Sequence, residues 1–120
     1  MKVLALIYAD QGRWESLSED ERNEVYERYR AFGDNVGDKI VDGAELAPTR
    51  AATTVRIREG QTAVTDGPFA ETKEQLGGIY VIDVKDLNEA MEWAAGIPDA
   101  LTGSIEIRPV MDVSSVDKIK

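Results

Sequence analysis

Two short runs of this chain are apolar at every position, Val3-Leu4-Ala5-Leu6-Ile7-Tyr8 and Ile79-Tyr80-Val81-Ile82. Side chains along a strand alternate between the two faces of a sheet. A strand that is apolar at both parities therefore needs cover on both faces, and the two runs read as central strands over residues 2–8 and 79–84. The chain supplies little to cover them with. One helix begins at Ser18, where Glu21 completes a capping box, and Gly37 is its stop. Its apolar positions Val25, Tyr29, Phe32 and Val36 recur at helical spacing, with Glu24 and Arg28 paired on the outer face. A second helix is capped by Asp86, with Glu89 at the capping-box position, Leu87, Met91 and Ala94 on its inner face, and Pro98 marking its end. Two helices cover one face of a sheet. The other face calls for a partner, most simply a second copy of the chain packed sheet against sheet.

The remaining elements follow from alternation and turn chemistry. Residues 9–17 read as a loop, and residues 40–46 as a weaker strand interrupted by Asp42-Gly43. In residues 53–58, Val55 and Ile57 alternate with Thr54, Arg56 and Arg58, and Glu59-Gly60 turns the chain back into residues 61–65 as a hairpin. A last strand over residues 104–110 alternates Ile105 and Ile107 with Glu106 and Arg108. Residues 112–120 read as a polar tail beyond a single domain over 1–111. The order β-α-β, hairpin, β-α-β predicts an α+β fold, a ferredoxin-like split βαβ sandwich with an inserted β-hairpin. It is expected to place strands 2–8 and 79–84 side by side and parallel.

Composition narrows the function. With 14 basic and 23 acidic residues the net charge is −9. That disfavours nucleic acid, whose binding rests on neutralising phosphates, and equally an anionic membrane surface. There is no Cys and no His. Thiol chemistry, Ser-His and Cys-His nucleophile systems and ordinary zinc sites are excluded. The apolar stretch after Met1 is short for a signal peptide and lacks a cleavage site, so a cytoplasmic location is expected. Gly77-Gly78 follows a loop and precedes a strand, the wrong setting for a phosphate-binding turn. No cofactor is indicated.

The densest segment is Asp66-Gly67-Pro68-Phe69-Ala70-Glu71-Thr72-Lys73-Glu74-Gln75-Leu76-Gly77-Gly78. It resembles the signature of the DGPF proteins, a branch of the YCII-related family, and the resemblance extends over nearly all of residues 1–110. It implies the dimeric α+β barrel. YCII-like proteins carry a His–Asp pair proposed to be catalytic. Asp66 answers to the Asp of that pair, and the His has no counterpart here. The resemblance also implies a functional link to extracytoplasmic-function sigma factors, because related domains occur fused to them or encoded beside them.

The candidate site residues surround this segment. Asp66 reads as a general base or ligand anchor, or else as a turn residue whose carboxylate bonds nearby backbone N–H groups. Pro68 and Phe69 are expected to fix the loop and plug it into the core. Lys73 can hold an anion. Glu71 and Glu74 are either a weak hard-cation site or solvated charge. Tyr8 and Tyr80, at the ends of the central strands, can donate to a ligand oxygen or simply pack. Arg56, Arg58 and Arg108 are expected to face away from the helices, available to a carboxylate or to an ion pair with Glu106. Trp14 reads as a loop cover and Trp93 as helix packing. Two functions stay open: a small-molecule-binding or regulatory dimeric module, and an enzyme of the isomerase, lyase or hydrolase kind. The latter would carry out proton transfer on a small carboxylate or lactone. Any ligand site is expected where the 66–76 loop meets the central strands.

Overall fold

The computed structural model describes residues 1–111, so the tail expected at 112–120 lies outside the described residues. The strands are β1 (Lys2–Ala9), β2 (Ile40–Glu45), β3 (Thr53–Arg58), β4 (Gln61–Asp66), β5 (Gln75–Asp83) and β6 (Ser104–Pro109). The helices are α1 (Gln11–Ser16), α2 (Glu19–Val36) and α3 (Leu87–Ala95), with short 3-10 segments at Gly37–Lys39, Thr49–Ala51 and Pro98–Leu101. Among the described residues no helix is long and apolar enough to cross a membrane.

Four strands form one sheet in the order β2-β5-β1-β6, and β3 and β4 form a separate two-stranded sheet. The two apolar runs are the central neighbours, as their composition predicts, but they run antiparallel rather than parallel. The reason is topological. The α2 crossover returns the chain to β2 in the direction of β1, one slot removed. The excursion through the hairpin then brings β5 back between them, reversed, so β5 is antiparallel to both.

The helices begin where the sequence places their caps. Ser18 Oγ accepts from the Glu21 N–H at 3.1 Å, and the Glu21 carboxylate accepts from the Ser18 N–H at 2.9 Å. Those bonds hold the Glu21 carboxyl below its ordinary range. Asp86 accepts from the Glu89 N–H at 2.9 Å. Within the segment 9–17, residues Gln11–Ser16 form a helix rather than a loop. Asp10 caps α1, accepting from the N–H groups of Gly12 at 2.9 Å and Arg13 at 3.3 Å. A six-residue helix is too short to show apolar periodicity, and its cap is the one local signal.

Val3, Ala5 and Ile7 of β1 and Ile82 of β5 pack against Phe32 and Val36 of α2, Ala90 of α3, and Val84 and Ile97 beside it. Leu87 and Met91 were expected inside, but both are exposed, and Ala90 and Ala94 make the buried stripe. Small side chains bring α3 close to the sheet, and the larger ones fall outside that contact. Leu4, Leu6, Ile79 and Val81 share the opposite sheet face, paired Leu4 with Val81 and Leu6 with Ile79, and are only half-buried.

The hairpin stands apart. Glu59 (φ 52°) and Gly60 (φ 76°) both take left-handed backbone, the signature of a tight two-residue hairpin turn. Val55, Ile57 and Val64 share one face of this arm and are 59%, 64% and 61% exposed. Arg56 and Arg58 lie on its other face. They therefore belong to the arm and not to the open face of the four-stranded sheet. Phe69, expected to plug into the core, is 80% exposed.

Candidate functional site

A cavity of about 680 Å³ lies on the helical side of the sheet, under α1 and α2 and against the ends of β2 and β5. Its construction starts with α2. Arg22, Tyr26 and Tyr29 fall at i, i+4 and i+7, so they form one stripe along the helix, with Val25 beside them. The floor is backbone and small side chains: Gly43 and Ala44 of β2, and Gly77 and Gly78 of β5. Gly77 is the extra residue where the register of β1 with β5 slips, Ile7 facing Gly78 and Tyr8 facing Leu76. Such a bulge bends the strand at the cavity edge. Gly43 is required by Tyr80, because a Cβ there would come within 2.8 Å of the Tyr80 ring. The two glycines that end the signature segment thus form part of the cavity floor.

One end of the cavity is closed by α1 and the 3-10 segment Thr49–Ala51. Thr49 Oγ1 donates to Gln11 at 2.8 Å, and Arg50 pairs with Glu15 at 2.8 Å. Arg22 donates to the carbonyls of Trp14 at 3.2 Å and Glu15 at 2.8 Å, and its guanidinium lies 5.8 Å from the Trp14 ring centre. The Trp14 ring meets Tyr26 edge-on at 5.5 Å. Tyr26 donates to Glu45 at 3.3 Å, and burial with the Glu45 charge raises its pKa.

At the other end the Tyr29 hydroxyl donates to Asp99. Burial, reinforced by that carboxylate, pushes the Tyr29 phenol well above its ordinary value. Tyr80 packs against Phe32 with ring centres 5.6 Å apart, and burial raises its pKa as well. Both phenols therefore stay protonated at neutral pH and act as neutral groups. The arrangement can hold a ligand by hydrogen bonds and aromatic contact.

The structure brings few of the sequence-predicted residues to this place. Tyr80 lines the cavity. Asp66 ends β4 opposite Thr53, exposed on the arm, and is not among the residues lining the cavity. Tyr8 continues the parity of Leu4 and Leu6 on the open face. Arg108 lies on that face too, ion-paired with Glu106. Lys73 lines a separate polar recess of about 370 Å³ with Asp10, Gln11, Thr49, Glu71 and Thr72. Glu74 of the same segment accepts from Ser104 at 2.8 Å, and among the described residues no three acidic side chains gather as a metal site. The loop itself is held by Gln75, which donates to the carbonyls of Ala70 at 3.2 Å and Thr72 at 3.0 Å.

Trp14, Arg22, Tyr26, Tyr29 and Asp99 escape the sequence reading. Tyr29 looks like an ordinary core position of α2, and Asp99 follows the Pro98 stop signal with no motif around it. The Arg22–Tyr26–Tyr29 stripe was the available signal, since it puts a cation and two phenols on the face that also carries Val25.

Comparison with known proteins adds two findings. The description of the YCII-related domain matches residues 1–114. An uncharacterized protein of Rhizobium meliloti (strain 1021) is 42% identical over 120 residues, covering 92% of this chain and 92% of that protein.

Proposed function

The chain belongs to the YCII-related family, and from that premise we propose that it is a small-molecule-binding module that works as a homodimer. Its place within the family is the DGPF branch, on the residues Asp66-Gly67-Pro68-Phe69. The observation that carries the reading is the aromatic-walled cavity with a few convergent polar groups, the usual form of a ligand site. Its volume lies within the roughly 300–1,000 Å³ typical of sites for small organic molecules. The groups in it are suited to holding a ligand. Tyr29 donates to Asp99 and is hard to ionise, which suits it to holding a ligand rather than attacking one.

The dimer rests on two surfaces. The open sheet face carries Leu4, Leu6, Ile79 and Val81, and the arm carries Val55, Ile57 and Val64. An isolated two-stranded hairpin is marginal in water. An arm with an apolar face is stabilised when that face is buried against a second copy.

Val25→Trp tests the ligand reading by filling the cavity from α2 without altering the sheet. Freshly purified wild-type protein is denatured and its small-molecule content compared with that of the variant. A compound present in stoichiometric amount in the wild type and absent from the folded variant supports the reading. Equal content in both, or none in either, refutes it.

A further inference from the structure

The charges along the α2 stripe specify a class of ligand. Arg22 is half-buried, and among the described residues it pairs with no carboxylate. Its Nε and Nη2 are committed to the Trp14 and Glu15 carbonyls, which fixes the guanidinium plane and, among the described residues, leaves Nη1 without a hydrogen bond. Asp99, seven residues of helix away through Tyr29, is half-buried and pairs with no cation among the described residues. It accepts from Tyr29 through Oδ2, and among the described residues Oδ1 makes no side-chain hydrogen bond. Seven residues of α-helix rise about 10 Å, which sets the separation of the two ends along the axis. Val25 and Tyr26 fall between Arg22 and Tyr29 along the helix, and the Tyr80 ring lines the same cavity.

We propose that the cavity takes an elongated monocarboxylate with a flat apolar body and a hydroxyl or amine at its far end. The carboxylate accepts from Arg22 Nη1, the body lies between Tyr26 and Tyr80, and the far group donates to Asp99. The polarity follows from donor inventory: an arginine only donates and a carboxylate oxygen only accepts. A singly charged acid fits better than a phosphate. Arg13 and Arg50 line the cavity beside Arg22, Arg50 paired with Glu15, but five acidic side chains, Asp10, Glu15, Asp42, Glu45 and Asp99, line it too and repel a dianion more than a monoanion. This inference rests on the reading of the cavity as a ligand site.

Titration calorimetry with three probes separates the parts: 4-hydroxyphenylacetate, its neutral amide, and phenylacetate. The wild type should prefer the hydroxy acid to the other two. Arg22→Gln should weaken the hydroxy acid by about tenfold or more while leaving the amide unchanged. Asp99→Asn should weaken both hydroxyl-bearing probes and leave phenylacetate unchanged. Thermal unfolding of each variant confirms that it folds. Equal wild-type affinity for acid and amide, or an Arg22→Gln loss shared by both, overturns the charge assignment. If none of the probes binds to a protein that retains a copurified compound, this inference fails and the ligand reading stands. If none binds and nothing is retained, both fail.

Discussion

The four-stranded sheet and the β3–β4 arm are built from the same sequence pattern and have opposite fates. Val3, Ala5 and Ile7 alternate along β1 and are buried under the helices. Val55 and Ile57 alternate along β3 in the same way and stand in solvent. Period-two alternation says that one face of a strand seeks apolar cover. It does not say whether the cover belongs to the same chain. On the sheet, α2 and α3 supply it. On the arm no element among the described residues does, so the identical pattern makes a core in one place and an open apolar face in the other.

The largest expected effect is in the sheet. Ile82 is fully buried beneath the helices, and Ile82→Ala should cost about 2–5 kcal/mol of stability from lost burial and a residual cavity. Urea unfolding measures it. A loss as small as that of a surface substitution would mean the core is loosely packed and the contrast is false.

The arm should respond in a different currency. Ile57→Lys places a charge on its apolar face without touching the core. Self-association measured by sedimentation at micromolar concentration should weaken by at least tenfold, about 1.4 kcal/mol. Hydrogen exchange of β1 and β5 should stay protected in the resulting monomer. Unchanged association would place the interface on the open sheet face alone.

A smaller effect tests the polar contact between Tyr29 and Asp99 on the helical side. Because its phenol is held above the ordinary value of 10, Tyr29 binds its proton more tightly in the folded chain than in the unfolded one. Its contribution is therefore complete below about pH 10 and is lost as pH rises beyond that value. Tyr29→Phe should cost about 1 kcal/mol at neutral pH by leaving Asp99 without its donor. It should also flatten the fall in stability above pH 10, read from melting temperatures across alkaline buffers. An unaltered alkaline slope would show that Tyr29 is not the group responsible.

These contrasts explain what was legible in the sequence. The caps at Ser18 and Asp86, the stop at Gly37, the Glu59-Gly60 turn and the central position of β1 and β5 all follow from local chemistry and burial. Each is fixed by residues close together in the chain or by plain apolar content. Strand direction was lost because it depends on how the whole chain is threaded, which no local pattern encodes. On α3, Ala94 faces inward as its spacing predicts, but Leu87 and Met91 do not, because close packing of the small Ala90 and Ala94 decides the face and size does not. The site was displaced for a related reason. Asp66 draws attention because its neighbours are turn residues, but it ends β4 on the exposed arm, away from the residues that line the cavity. The cavity groups come together from α1, α2, β5 and the turn after α3, and the Tyr29–Asp99 contact spans 70 positions. Such a pair has no sequence signature.

Native mass spectrometry of the freshly purified chain tests the central claim, that one side of the sheet holds a ligand while the bare apolar surfaces hold a partner. The account predicts a dimer carrying up to one small organic molecule per protomer, lost on gentle activation before the dimer separates. A bare monomer, well folded and free of any adduct at micromolar concentration, would contradict it.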